Sequence, residues 1–170
     1  MSRITTRSSR TFIASALVSV GGAALADLPP EGKYDYTACW SGVSTPIAFS
    51  KEHVAFTYEM TGSTRAAQAG GYGDKNAFRC IGLNMAFKGK VTGTAICEAV
   101  DKEGHKTLSK YEIDGPGAAR THLEGTGKYE GLVMVSDRTR PLGPFPTVKQ
   151  GTFQNCNHQT GTYKLMKKMN

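Results

Sequence analysis

The chain has 170 residues, with 21 lysines and arginines against 14 aspartates and glutamates, and its formal net charge is +7. Three arginines, Arg3, Arg7 and Arg10, lie within the first 26 residues, and without that segment 18 basic residues stand against 14 acidic ones. This ordinary balance, with no interleaving of arginine and aromatic residues, argues against a nucleic-acid partner, and the length supports one domain with one core.

Residues 1–26 are predicted to be a cleavable secretory signal peptide. The segment begins with the three arginines and no acidic residue, continues with a short apolar core at residues 11–23, and ends in Ala24-Leu25-Ala26. The apolar run is shorter than the roughly 20 residues of a transmembrane helix. The alternative is a short amphipathic helix that stays attached to the domain. We therefore expect a mature protein that begins near Asp27, is periplasmic or secreted, and has no integral membrane segment.

Residues 27–170 are predicted to form one all-β domain. Valine, threonine, tyrosine and phenylalanine recur with the two-residue period of half-buried strands, and glycines interrupt nearly every gap. The predicted strands, in chain order, are residues 33–40, 53–61, 78–88, 91–100, 107–113, 118–123, 131–136, 151–155 and 161–166. Their spacing, with turn signals between them, is typical of an antiparallel barrel or sandwich.

The segments between these strands also carry predictions. Residues 62–74 are polar and glycine-rich, and they are expected to form a rim loop that contacts a partner if the core is filled. Residues 101–104 predict a tight turn that ends in glycine. Residues 140–146 contain three prolines and are predicted to cross the rim as a loop, because proline donates no ladder hydrogen bond. The lysines of residues 164–168 predict a basic, solvated C-terminal tail.

The four cysteines, Cys39, Cys80, Cys97 and Cys156, all lie in the predicted exported part. An even number of cysteines in such a protein indicates a disulfide framework, for which three pairings are possible. Cys80 and Cys97 lie in neighbouring predicted strands joined by a glycine-containing turn. That hairpin favours Cys80 with Cys97 and Cys39 with Cys156. No CxxC spacing is present, and Cys156 and His158 are only two potential ligands, fewer than a metal site needs. No metal site is therefore predicted.

A glycine-rich corner follows the strand predicted at residues 118–123. It consists of Gly125, Thr126, Gly127, Lys128, Tyr129, Glu130 and Gly131. The corner resembles the GGTGKYxGxxG corner of the allene oxide cyclase-like and dirigent barrels, and the turn at residues 101–105 resembles the DxDGD hairpin of their bacterial members. Glu124 stands where that family has its first glycine, and His105 replaces the last acid. The resemblance implies a single calycin-like antiparallel β-barrel of about eight strands with an apolar cavity.

The corner also has a physical explanation that does not depend on the family. Gly125 and Gly127 are predicted to adopt backbone conformations closed to other residues, which lets the chain turn sharply. Tyr129 is predicted to plug the end of the barrel with its ring while its hydroxyl stays in water. The GxxxxGK[ST] pattern of phosphate-binding loops is absent, so neither a nucleotide nor another cofactor is predicted.

No catalytic residue is assigned from the sequence. His122, and Glu52 beside His53, are the acid-base candidates, and a structural or surface role is the alternative for each. None of the four histidines has a serine or cysteine partner at a recognisable spacing. Trp40 is expected to pack in the core rather than stack on a ligand.

Two functional hypotheses follow. The first is an exported, non-catalytic barrel that binds a small apolar ligand or a protein partner. The second is a cofactor-free cyclase or isomerase whose cavity holds a reactive conformer. An inward-facing ionisable pair in a cavity favours the enzyme, whereas a core filled by side chains leaves only a structural or partner-binding module.

Overall fold

The computed structural model describes residues 28–115 and 117–166. The predicted signal peptide, and Lys167 and Lys168 of the predicted tail, lie outside these described residues. The strands are β1 (Glu31–Ala48), β2 (His53–Ala66), β3 (Ala77–Phe87), β4 (Lys90–Val100), β5 (Lys106–Asp114), β6 (Gly117–Gly125), β7 (Leu132–Pro141) and β8 (Thr152–Leu165). A short 3-10 turn, Gly127–Tyr129, joins β6 to β7. The prediction of an all-β chain is confirmed.

The strands form one antiparallel sheet that curls into a nearly closed barrel. Their order is β6-β5-β4-β3-β2-β1-β8-β7, so the first strand pairs with the last. β6 and β7 then lie side by side, but no backbone ladder joins them in the described part of the chain. We call this place the seam. The predicted antiparallel barrel of about eight strands is confirmed.

Strand lengths differ from those predicted. The strands predicted at residues 151–155 and 161–166 are parts of one strand, β8 (Thr152–Leu165), because Gly161 pairs in mid-sheet with Tyr34 of β1 and with Asp137 of β7. β2 continues to Ala66, so the predicted rim loop is shorter and spans residues 67–76. Long strands of a strongly curved sheet tolerate glycine inside them, which the sequence pattern presents as a break.

Two further boundaries were predicted wrongly. Pro141 lies at the end of β7 opposite Asn157 instead of in a loop. Its missing amide is tolerated because β7 borders the seam and has a ladder on one side only. Lys164 is part of β8 rather than of a tail, and it forms an ion pair with Glu31 at 3.5 Å.

One end of the barrel is closed by aromatic packing. The buried cluster there consists of Tyr34, Tyr36, Ala38, Tyr129, Leu132 and Tyr163. Tyr72, from the loop at residues 67–76, packs onto this cluster. The opposite end carries the turns after β1 and β3, and we call it the mouth. The side chains at the mouth are exposed, among them Ile47 and Phe49.

Two disulfides staple strands that lie next to each other. Cys39 of β1 is bonded to Cys156 of β8, directly opposite it, on the outside of the barrel. Cys80 of β3 is bonded to Cys97 of β4, and both are buried on the inside. These are the predicted pairs, and they are compatible with an extracellular or periplasmic protein.

A separate observation concerns membranes. No helix within residues 28–115 and 117–166 has the length and apolarity needed to cross a bilayer.

Candidate functional site

From Cys80 onward, the alternation of β3 places large apolar side chains outside the barrel and smaller side chains inside. The outward residues are Ile81, Leu83, Met85 and Phe87, all of them exposed. The inward residues between them are Cys80, Gly82 and Asn84. Because successive residues of a strand face opposite sides, this sequence pattern itself leaves the interior underfilled.

Glycines at inward positions make room for aromatic rings on neighbouring strands. The directly opposed pairs are Gly32 with Tyr163, Gly42 with Phe153, Gly62 with Phe78, and Gly82 with Tyr58. At each glycine an added Cβ would collide with the partner's side chain. The rings therefore cover the glycine backbone along the wall, as aromatic side chains often do beside strand glycines.

The result is a cavity of about 550 Å³ inside the barrel. This volume falls in the range of sites that enclose one small molecule. The aromatic residues of its lining include Trp40, Phe56, Tyr58, Phe78, Tyr111 and Phe153. Trp40 packs against the buried cluster as expected, but it also lines the cavity. The interior is therefore not a core filled by side chains.

Arg120 on β6 is the one charged residue that lines this cavity in the described part of the chain. Its Nε donates a hydrogen bond to the carboxylate of Asp137 across the seam, at 2.8 Å. Its two Nη atoms donate to the hydroxyl oxygens of Tyr36 and Tyr34, at 2.7 and 3.0 Å. The side chains of Arg120 and Asp137 are only 4% and 17% exposed. A buried ion pair thus bridges the seam where the backbone ladder is missing.

The tyrosine hydroxyls extend this network to β1 and β8. Tyr34 donates to the second carboxylate oxygen of Asp137 at 2.6 Å. Tyr36 donates to Gln159 at 2.6 Å, and Gln159 donates to Asn157 at 3.0 Å. Four strands are therefore joined through side chains on the cavity wall. This network was not predicted from the sequence, although Arg120 lies at an inward position of its strand.

Burial fixes the protonation states of the cavity wall. It raises the pKa of Tyr36 well above its ordinary value, against the opposing effect of Arg120, and it also raises the pKa values of Tyr58 and Tyr72. Burial alone would lower the pKa of Arg120, but nearby groups, among them the carboxylate of Asp137, hold it well above its usual range. At neutral pH the phenols are therefore uncharged and the guanidinium is protonated.

The predicted acid-base candidates lie far apart on the fold. His122 is on β6 and half-buried, and neither ring nitrogen has a hydrogen-bond partner. Burial, followed by the charge of Arg120, lowers its pKa. Glu52 and His53 lie at the mouth, at the turn between β1 and β2, where the His53 ring packs on Phe87 with centroids 4.4 Å apart. None of the three lines the cavity.

Lys128 of the glycine-rich corner forms an ion-pair cluster with the turn at residues 101–105, at the closed end. Lys128 pairs with Asp101 at 2.8 Å and also with Glu103. Hydrogen bonds from Lys128 and from two backbone amides lower the pKa of Asp101, although burial alone would raise it. His105 lies beside the two acids, and these three side chains are close enough to hold a cation. The Lys128 ammonium already occupies that place as their counter-ion.

The corner turns sharply, partly for the predicted reason. Gly127 and Gly131 have φ of +56° and +72°, which other residues adopt only under strain. Gly125 has an ordinary φ, contrary to the prediction. Glycine is required there because a Cβ would collide with the carbonyl oxygen of Tyr129. Thr126 fixes the corner to β5, because its hydroxyl accepts a backbone hydrogen bond at 2.8 Å.

Tyr129 closes the end of the barrel, but its hydroxyl is not in water as predicted. The residue is only 3% exposed, and its ring packs edge-on against Tyr72 with centroids 5.9 Å apart. Burial is the main reason that the pKa of Tyr129 is raised, and Asp101 and Asn76 are among the nearby groups that influence it. The hydroxyl of Tyr129 therefore stays protonated inside the closed end.

Comparison with models of known protein families finds no match, and the same holds for characterised proteins and for solved structures. The resemblance to the allene oxide cyclase-like and dirigent barrels therefore stays a prediction that rests on the corner motif.

Proposed function

We propose that this chain is an exported, non-catalytic carrier that binds one small, largely apolar molecule inside its barrel. The observation that carries the proposal is the aromatic-lined cavity of about 550 Å³. Small inward residues such as Ala95 and Gly82 keep the cavity open, while larger apolar residues of the same strands face outward. Keeping apolar walls in contact with water is unfavourable, and a bound apolar molecule removes that cost.

The second candidate, a cyclase or isomerase, is supported by one feature, the inward-facing ion pair of Arg120 and Asp137. That pair is poorly suited to proton transfer. The pKa of Arg120 is well above its usual range, and Asp137 already accepts hydrogen bonds from Arg120 and Tyr34. General acid-base catalysis works best with a pKa near the working pH. The wall of the cavity offers no such group in the described chain, so the carrier is preferred.

Export is the second element of the proposal. Its support is the N-terminal sequence pattern together with the two disulfides, which persist in oxidising compartments.

Binding inside the barrel is tested with one lumen-filling variant and one matched control. Trp40 is the chain's single tryptophan and lines the cavity, so its fluorescence reports on the cavity. We expect the uncharged dye N-phenyl-1-naphthylamine to quench Trp40 and to raise the melting temperature. Ala95→Phe, inside the barrel, should abolish both effects. Thr94→Phe, on the outside of the same strand, should leave both effects intact.

The outcomes separate the hypotheses. Equal dye binding by the two variants would place the dye on the surface and contradict the proposal. Native mass spectrometry of protein purified from its own periplasm or medium tests the natural ligand. A co-purifying small molecule supports the carrier, and repeated isolation of the empty chain argues against it.

A further inference from the structure

We infer that the cavity selects uncharged ligands: an aromatic or polycyclic body that carries a neutral hydrogen-bonding group such as a hydroxyl. This inference rests on the proposed function, since it names the class of molecule that the cavity accepts. A single arginine in an apolar cavity ordinarily indicates an anionic ligand, because guanidinium binds carboxylates well. The surroundings of Arg120 lead to the opposite conclusion.

The charge of Arg120 is already balanced inside the protein. Asp137 accepts a hydrogen bond from Nε at 2.8 Å, and the pair is almost fully buried. No other charged residue lines the cavity among the described residues. A ligand carboxylate would therefore bring a second negative charge to a site that has one positive charge and already holds one negative charge.

Three of the five N–H donors of Arg120 are also occupied. Each of its three nitrogens donates to a protein oxygen, on Asp137, Tyr36 or Tyr34. The guanidinium carbon also lies 5.4 Å from the centre of the Tyr34 ring. A carboxylate that bound the Nε edge of Arg120 in the usual two-pronged manner would have to displace Asp137.

A ligand cation also lacks a free counter-ion among the described residues of the cavity wall. Asp137 is the nearest carboxylate in the network, and it is occupied on both oxygens, by Arg120 and by Tyr34. The phenols of the wall stay neutral because burial raises the pKa values of Tyr36, Tyr58 and Tyr72. A charged group of either sign would lose its water without gaining a counter-ion, which is costly in an apolar interior.

Neutral hydrogen-bonding groups, by contrast, line one strand of the wall. Thr107, Ser109 and Tyr111 occupy alternate inward positions of β5, and Tyr111 pairs directly with Arg120 of β6. We call them the β5 hydroxyl stripe. Hydroxyls both donate and accept, so they suit a ligand alcohol, phenol or ketone. The aromatic walls on the other strands suit a flat apolar body.

The inference is tested with three probes that share one skeleton. The probes are three anthracenes that carry a hydroxymethyl, a carboxylate or an aminomethyl group. They share one ring system, and at pH 7.5 their substituents are neutral, negative and positive. Quenching of Trp40 fluorescence measures their binding. We expect the alcohol to bind the intact, oxidised protein at least about tenfold more tightly than either charged probe. Binding of the carboxylate as tight as that of the alcohol would overturn the inference while leaving the carrier intact. If neither the dye nor any of the three probes binds, the proposed function is contradicted instead.

Asp137→Asn provides the complementary test. This variant keeps the size of the side chain but removes the counter-charge of Arg120, so the carboxylate should gain affinity relative to the alcohol. An unchanged ratio in a folded variant would show that the Asp137 charge does not set the selectivity, and would contradict the inference. If the variant does not fold, the ratio measured on the unmodified protein decides alone.

Discussion

Removing one partner of the buried pair of Arg120 and Asp137 should lower the free energy of unfolding more than removing one partner of any other ion pair described in this fold. Asp137→Ala leaves the guanidinium of Arg120 without a counter-ion at a site where its side chain is 4% exposed. Breaking a buried pair from one side typically costs about 3–5 kcal/mol. It also removes the acceptor of the Tyr34 hydroxyl. We expect a loss near that range in the free energy of unfolding.

The double variant Arg120→Met/Asp137→Ala separates the charge effect from the loss of contacts. With both charges gone, the main remaining penalty is the loss of the two hydrogen bonds that join the Tyr34 hydroxyl to Asp137 and Arg120, at about 1–3 kcal/mol. The double variant should therefore be more stable than Asp137→Ala alone. This gain in stability over Asp137→Ala is expected only if the uncompensated charge of Arg120 causes most of the destabilisation in the single variant.

Urea unfolding of the oxidised protein, followed by Trp40 fluorescence and by circular dichroism, measures these differences. Glu59→Ala is the control, because its pair with Arg79 has a similar distance, 2.7 Å, but lies in water. We expect no measurable change in the control, as is usual for exposed pairs. The reasoning is refuted if Asp137→Ala unfolds at the same urea concentration as the unmodified protein. It also fails if the double variant is the less stable of the two.

Three further predictions concern other parts of the barrel. Replacing Cys39 and Cys156 by alanine opens a loop with a sequence separation of 117 residues and should cost about 4–5 kcal/mol, measured by urea unfolding; a much smaller loss would contradict the chain-entropy argument. Lys128→Met should destabilise the protein most at neutral pH, because Lys128 lowers the pKa of Asp101. The difference in unfolding free energy between the variant and the unmodified protein should shrink as pH falls below about 3.9. A difference that does not depend on pH would exclude the ion pair as its source. The pKa of His122 is lowered in the fold, so protonation favours the unfolded chain, and stability should decrease as pH falls below about 6.5. His122→Gln should flatten this part of the profile, and an unchanged slope would assign it to other groups.

The fold class could be predicted from the sequence because period-two patterning and turn residues act locally. The disulfide between Cys80 and Cys97 followed from the same local logic, since a hairpin places its two strands side by side. Strand lengths could not be predicted in this way. Gly161 resembled a break, and only its pairing with Tyr34 and Asp137 shows that the strand continues.

The candidate site was harder to predict than the fold. Gly42, Gly62 and Gly82 lie inside strands, but each faces an aromatic residue on a different strand, and that opposition depends on register. The partners Arg120 and Asp137 are on strands that share no ladder within residues 28–115 and 117–166, so no pairing pattern connects them. A signal was nevertheless present in β3, where large apolar residues and small residues alternate in the order opposite to that of a filled core.

The closure of the seam and the ligand preference both depend on the ion pair of Arg120 and Asp137. An anion that bound Arg120 would compete with Asp137, and it would therefore weaken the side-chain bridge across the seam, where the described strands share no ladder. An uncharged ligand leaves that bridge intact and adds its binding free energy to the stability of the closed barrel. At equal occupancy, the hydroxymethyl anthracene should slow amide exchange on β6 and β7 more than the carboxylate does. Equal protection by both probes would mean that the seam does not depend on Asp137 for closure.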